Sequence, residues 1–298
     1  MPSVGPRFLQ PFAPDPRLDE LPSLYVPDIP VSVLRLDETD QLVSGNKWYK
    51  LRYYLDDAMA TGRKIVTWGG AWSNHILAAA VACQRAGVAC TGIIRGEEPA
   101  TPSFTLTTAR EAGMELLFIS REEYGKKIPP RLFPPDEYLE IPEGGYGETG
   151  AKGASTILDV GGLESFHHIF CAVGTGTMLA GLVNRASHQQ VTGIPVLKNK
   201  QAGEEVTALL QPGNNNWQLV PGYEFGGYAR YNQELIDFMN SFYQLTGIPS
   251  DFVYTGKLFY AATDLLRKGM VEQGEKVLLV HSGGLQGNRG LPSKTLIF

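Results

Sequence analysis

The sequence predicts an α/β fold with two open, twisted, mostly parallel sheets and helices on both faces. Three observations predict it. Strand-length apolar runs alternate with helical stretches across short loops, the order that gives parallel sheets covered by helices. Hydrophobic residues make up 43% and charged residues 19% of the 298-residue chain, enough to bury a large core. Glycine-rich loops follow three of the strands, at the edge where open α/β sheets bind ligands.

Taken in order, Val31-Ser32-Val33-Leu34-Arg35-Leu36 reads as a strand. A helix is expected from about Trp48 to Ala60, with Leu51, Leu55, Ala58 and Met59 at helical spacing and Gly62 past its end. A strand at Ile65–Trp68 leads through Gly69-Gly70 into an Ala-rich helix, Asn74 to Arg85, closed by Gly87. Another strand follows around Ala89 to Ile94. The segment from Glu122 to Gly153 holds Pro129-Pro130, Pro134-Pro135, Pro142 and many glycines, and reads as a connector rather than a core element. The pattern resumes at His168–Val173, a buried strand, followed by Gly174-Thr175-Gly176-Thr177 and a helix through Leu182. Val277 to Val280 is a late strand ending at His281-Ser282-Gly283-Gly284. The expected division is a small α/β domain over residues 50–145 set between residues 1–49 and 146–298 of a larger one.

Composition excludes several classes of function. The formal net charge is -5, and the nearest approach to a basic cluster, Lys126-Lys127, reads as an exposed loop, so no nucleic-acid partner is expected. Cys83, Cys90 and Cys171 form no C-x-x-C pair or closed disulfide framework; Cys83 and Cys171 lie in apolar runs and read as buried. Met1 to Gln10 carries neither an apolar signal core nor a basic leader. No window approaches the ~20 apolar residues of a membrane span. A cytoplasmic location with no membrane partner is the expectation. No His/Cys/carboxylate cluster has metal spacing, and there is no Gly-x-Ser-x-Gly elbow.

Each motif has a plain structural reading beside a chemical one. Gly174-Thr175-Gly176-Thr177 serves equally as a tight strand-to-helix turn or as a cradle of backbone N–H groups for a phosphate. It is neither a Walker A loop nor a full dinucleotide fingerprint, since Leu179 breaks Gly-x-Gly-x-x-Gly. Ser44-Gly45-Asn46-Lys47 opens a helix that Ser44 or Asn46 can cap, with Lys47 and Lys50 as surface lysines. Alternatively Lys47, on the first turn beside the cleft, is a Schiff-base lysine with a lowered pKa. Ser73 or Asn74 is an ordinary N-cap, or the N–H donors there hold a substrate carboxylate with Ser73 Oγ toward the reacting centre. His75 is a core or surface histidine, or part of the same site. Tyr254, in Asp251-Phe252-Val253-Tyr254-Thr255-Gly256-Lys257 before a helix expected near Leu258, is a core residue or a cleft acid/base group.

Together these segments resemble the family of 1-aminocyclopropane-1-carboxylate (ACC) deaminases and D-cysteine desulfhydrases, pyridoxal-phosphate (PLP) enzymes of the tryptophan-synthase-β type, fold type II. The matching residues are Gly45-Asn46-Lys47-x-x-Lys50-Leu51, Gly69-Gly70-x-x-Ser73-Asn74-His75, the Gly174–Thr177 loop, Val253-Tyr254-x-Gly256-Lys257 and His281-x-Gly283-Gly284. The resemblance implies that Lys47 holds the cofactor and exchanges protons at the substrate α-carbon, with Lys50 a bystander. It implies that Asn74 bonds the cofactor ring oxygen. Ser73, Asn74 and His75 would bind a small amino-acid substrate. Gly174, Thr175, Gly176 and Thr177 would bind the phosphate, and Tyr254 and Tyr228 would line the reacting face. A homodimer is expected on the same ground.

Departures from the family pattern bear on the reaction. Where ACC deaminases carry a glutamate facing the pyridine nitrogen, this chain has Thr255; a hydroxyl there makes a weaker electron sink. Ser282 and His75 stand where those deaminases carry leucine and glutamine. Thr177-Met178 shifts a hydroxyl in the phosphate loop, which makes phosphate contact firmer for the loop backbone than for Thr177. These positions favour β-elimination from D-cysteine or a similar small D-amino acid, giving pyruvate, ammonia and sulfide. ACC deamination is the alternative within the family, beside a racemase or a β-replacement synthase. A non-catalytic PLP-binding protein is the alternative outside it.

Overall fold

The computed structural model describes residues 15–23, 25–126 and 133–298. Met1 to Gln10, Lys127 and Pro129-Pro130 lie outside the described residues. The strands run β1 (Leu18–Glu20), β2 (Val31–Arg35), β3 (Lys64–Gly69), β4 (Cys90–Arg95) and β5 (Glu115–Ile119). They continue as β6 (Tyr138–Ile141), β7 (His168–Val173), β8 (Gln190–Pro195), β9 (Trp217–Leu219) and β10 (Val277–His281). Between them lie α1 (Asn46–Thr61), α2 (Asn74–Ala86), α3 (Phe104–Glu111), α4 (Arg121–Lys126) and α5 (Glu148–Ser155). The later helices are α6 (Thr177–Arg185), α7 (Ala202–Thr207), α8 (Gln233–Thr246) and α9 (Thr255–Arg267).

Two sheets result. One has the order β1-β2-β10-β7-β8-β9, the other β5-β4-β3-β6. Every pairing is parallel except that of β1 with β2. The first sheet draws its strands from both ends of the chain, the second from residues 64–141 alone.

Strand alternation explains why helices cover both faces of the first sheet. In β10, Leu278 and Val280 join the core formed with α1, α2, α5 and α6, while Val277 and Leu279 join a second core with α8 and α9. All five residues of β10 are buried, so its apolar run is continuous. Each fully buried Val or Leu contributes about 1.5–3 kcal/mol. In the second sheet, Ile65 and Ile94 face the first core, and Val66, Trp68 and Ile93 pack with Tyr124 of α4.

Four sequence expectations need correction. Residues 122–153 are not merely a connector: β6 pairs with β3, and α5 is an interior helix. Gly150 and Gly153, read as loop residues, are contact residues of α5, as is Gly181 within α6. A Cβ on Gly153 would lie 2.2 Å from Tyr49 O of α1, and one on Gly181 of α6 would lie 2.6 Å from Ala151 O. Bare glycine lets these helices touch backbone to backbone. The N-cap of α1 is Gly45, with no side-chain cap, because Ser44 Oγ instead donates to Asp37 O. α9 begins at Thr255, three residues before the expected Leu258. Lys126 ends α4 and pairs with Glu122 rather than lying in a loop.

Candidate active site

The three glycine-rich loops meet at one cavity of about 980 Å³ between the two sheets, lined in part by Gly70, Gly174, Gly176 and Ser282. The first wall is made by α1. Gly45 is left-handed (φ 66°), and a Cβ there would lie 1.9 Å from Ser282 O. Only glycine allows the loop after β10 to sit on the start of α1. Asn46 N then donates to Ser282 O at 3.2 Å. Lys47 follows, half-buried on the cavity wall, with Nζ donating to Asn46 Oδ1 at 3.1 Å. Loss of solvation lowers its pKa to about 8. Such an amine is partly neutral near physiological pH and able to act as a nucleophile or base.

Lys50, read from the motif as a bystander or a surface residue, is buried and lines the same cavity. Its Nζ donates to Gly144 O at 3.3 Å. Burial, followed by the charge of Lys47, holds its pKa well below the usual lysine value. The signal was in the spacing: residues three apart share a helical face.

The second wall is the turn into α2. Ser73 caps the helix, its Oγ accepting from His75 N at 3.2 Å and Ile76 N at 3.4 Å. Two of the amides proposed for a substrate carboxylate are therefore already engaged. The Ser73 hydroxyl proton and Asn74 remain at the cavity wall. Asn74 Nδ2 lies 2.9 Å from where a Cβ on Gly284 would be, so that glycine makes room for the amide.

His75 is buried, and its tautomer follows from its neighbours. Thr67 Oγ1 donates its one proton to Ile141 O at 2.7 Å, so it must accept from His75 Nε2–H, also at 2.7 Å. His75 Nδ1 is then an unprotonated acceptor, and it has no hydrogen-bond partner among the described residues. Burial, then the charges of Lys47 and Lys50, hold the imidazole pKa well below its ordinary value.

The third wall joins the loop before α6 to Tyr254 and Tyr228. Gly174, Thr175 and Gly176 line the cavity; Thr177 is buried behind it, its hydroxyl 3.0 Å from that of Thr175. Gly176 is left-handed (φ 77°), and a Cβ on it would lie 2.6 Å from Val206. The first-turn amides of α6 have no intrahelical partner, which leaves them suited to an anion. Tyr254 and Tyr228 meet edge-on, ring centroids 6.5 Å apart. Burial pushes the Tyr254 phenol well above its usual pKa, so it stays protonated and serves as a hydrogen-bond donor at neutral pH. Tyr228 is 47% exposed at the mouth, and its phenol is raised as well, burial again first.

Thr255, like Thr177, is a proposed site residue that the fold keeps off the cavity wall. It is fully buried. Its hydroxyl donates to Asp251 Oδ1 at 2.8 Å and accepts from Asp251 N at 2.8 Å. Asp251 was not singled out from the sequence. Its carboxylate also accepts from the amides of Val253, Tyr254 and Thr255, each at 2.9 Å, and so folds the turn that carries Tyr254. Arg95, at the cavity mouth beside Gly70, was likewise missed. It ends a strand and carries no local motif.

The donor set fits a phosphate-bearing aldehyde. There is a desolvated lysine, a glycine loop in which a side chain would collide, free helix amides and a second buried amine. No group of three or more metal-ligating side chains is found among the described residues, and no helix there is long and apolar enough to cross a membrane.

Fold and site together define a lysine-dependent cofactor enzyme built on two mostly parallel sheets. Residues 21–283 match the family of pyridoxal-phosphate dependent enzymes, and the chain belongs to that family. A putative ACC deaminase of Pyrococcus abyssi is 32% identical, over 90% of both chains. A D-cysteine desulfhydrase of Salmonella paratyphi A is 26% identical, over 91% of this chain and 92% of that one. The crystal structure of an ACC deaminase homologue superposes with a TM-score of 0.79 at 27% identity, covering 94% of each chain. The fold class and the cofactor read from the sequence both agree with these matches.

Proposed function

We propose that this enzyme is a lyase of the ACC deaminase and D-cysteine desulfhydrase type, and that its reaction is β-elimination from D-cysteine or a similar small D-amino acid. D-cysteine and water would give pyruvate, ammonia and hydrogen sulfide. The observation that carries this reading is that Ser282, a hydroxyl, lines the cavity together with Lys47 and Asn74. The nearby Asp251 carboxylate is off the cavity wall and saturated by four donors. A hydroxyl rather than a carboxylate at Ser282 suits substrates that carry an α-proton and a good leaving group.

Pyridoxal phosphate, when bound, supplies an electron sink for negative charge at the substrate α-carbon. Lys47 would hold it covalently, with the Gly174–Gly176 loop, Thr175 and Lys50 around its phosphate and Asn74 and Ser282 along its ring. Lys47 Nζ, with its pKa near 8, would take the α-proton. Ser73 and Asn74 would orient the substrate carboxylate, with the neutral His75 packed behind them. Tyr254, still protonated, would hydrogen-bond the sulfur as it departs as hydrosulfide, and Tyr228 would shield the mouth from water.

A second reading, ACC ring opening, is favoured by the higher identity to the Pyrococcus protein. Purified enzyme would be incubated with D-cysteine, L-cysteine, D-serine, β-chloro-D-alanine and ACC while pyruvate, sulfide and 2-oxobutyrate are measured. Sulfide and pyruvate from D-cysteine, abolished by Lys47→Ala, are expected. Clear 2-oxobutyrate from ACC with no D-cysteine turnover overturns the first reading in favour of the second.

A further inference from the structure

Lys257 lies outside the cavity, and nothing in the reaction above uses it. It is nevertheless an expensive residue to place. It is fully buried, and it stands on the first turn of α9, where the helix dipole disfavours a cation. What compensates is a set of backbone carbonyls. Its Nζ donates to Glu224 O and Gly227 O, both at 2.8 Å, and to Val196 O at 3.5 Å. Val196 directly follows β8, and Glu224 and Gly227 bracket the turn that precedes Tyr228.

Apart from Lys257, the turn is anchored by Phe225 against Tyr260, ring centroids 4.9 Å apart, and by Gly222 N donating to the Glu224 carboxylate, but its backbone is unusual. Phe225, Gly226, Gly227 and Ala229 all have positive φ, at 48°, 91°, 115° and 52°. Two of these residues are not glycine, and such backbone persists only where its surroundings hold it. Within the turn, Gly227 N donates to Glu224 O and Arg230 N to Gly227 O. The two carbonyls bound by Lys257 are thus the ones that close the turn. The turn itself reaches the cavity through Gly226, Gly227 and Tyr228.

We propose that Lys257 is a positioning residue whose ammonium ties the 224–227 turn to the end of β8 and thereby holds Tyr228 against Tyr254 at the mouth. An ammonium fits because it offers three donors to three carbonyls, which an uncharged side chain of similar length does not. The acidic groups near it are Asp251 and Glu224, whose charges favour the protonated form but do not offset its burial. The functional half of the inference rests on Tyr228 serving the reaction proposed above; the structural half does not.

Holoenzyme carrying Lys257→Met is compared with wild type by hydrogen–deuterium exchange, with β3 and α2 as internal references. Amides of residues 222–231 are expected to exchange about tenfold faster or more in the variant while the references stay unchanged. Unchanged exchange of 222–231 in the folded variant overturns the clamp. If Lys257→Met does not fold, Lys257→Gln, with two N–H donors on a shorter arm, is judged by the same criterion. In a double-mutant cycle, Lys257→Met is expected to lower kcat/KM by about fivefold or more in wild type and by less than about twofold in Tyr228→Ala. An equal loss in both backgrounds, or no loss in wild type, overturns positioning through Tyr228. Exchange needs no turnover, so a mistaken substrate and a mistaken clamp give different results.

Discussion

Replacing Gly153 by alanine sets two known effects against each other. The residue sits inside α5 with ordinary helical φ, where alanine in isolation is better than glycine by about 1 kcal/mol. Against this, the new methyl would lie 2.2 Å from Tyr49 O, 3.1 Å from Tyr49 C and 3.3 Å from Lys50 Cα, all backbone atoms of α1. Real Cβ contacts essentially never fall below 3.0 Å, and no flexible side chain is present to swing away. The two helices must part by roughly 1 Å, loosening a contact layer that includes Leu51, Ala151 and Ala154. Overpacking of this kind costs about 1–3 kcal/mol, and backbone contacts place it at the upper end. The expected net loss is about 1–2 kcal/mol in urea unfolding at constant m-value, with weaker retention of pyridoxal phosphate because α1 carries Lys47. Gly161→Ala, with nothing within 4 Å of the new methyl and no positive φ, is the control and should be neutral or slightly stabilising. A Gly153→Ala protein as stable as wild type would refute the argument that α1 and α5 meet through bare glycine.

Three further outcomes follow from groups at or near the site. Acylation of Lys47 in enzyme stripped of cofactor, followed by mass spectrometry, should rise with pH to a midpoint near 8, because only the neutral amine reacts; a midpoint near the ordinary 10.5 contradicts the desolvated environment. Asp251→Asn puts an N–H₂ group where amides donate, and should cost about 2–4 kcal/mol of stability in urea unfolding. A loss below about 0.5 kcal/mol would show that the carboxylate does not hold the Tyr254 turn. His75 stays neutral in the fold, whereas the unfolded chain takes up a proton near pH 6.5. The unfolded state therefore binds more protons below that pH, and stability falls as pH drops from 7 to 5. Unfolding curves of His75→Gln should show a shallower decline over that window, and an identical slope counts against a buried neutral imidazole.

Much of the molecule was legible from local pattern. The continuous apolar runs of β7 and β10, the alternation around α2, and Gly62 and Gly87 as left-handed C-caps follow from periodicity and backbone sterics. The convergence of the three glycine loops also followed from topology, since parallel strands present their carboxyl ends to one edge. Residues 122–153 were misread because proline and glycine density is a turn signal over a few residues. Whether a glycine serves a turn or a close helix contact depends on what packs against it.

The sequence by itself determined the α/β class, the parallel strands and a lysine at the start of a helix beside a ligand-binding edge, because local periodicity sets each element and the alternation of strand and helix sets how they pair. Only the tertiary structure decided what that lysine experiences. Its pKa near 8 comes from burial against chain segments far away in sequence, and Lys50 shares its cavity for the same reason. The same long-range packing turned Thr255 away from the cavity and onto Asp251, and set Lys257 among the carbonyls of two separate segments. Solvation, and the choice of partner for a buried polar group, depend on all the atoms around a site, and those atoms are brought together only by the completed fold.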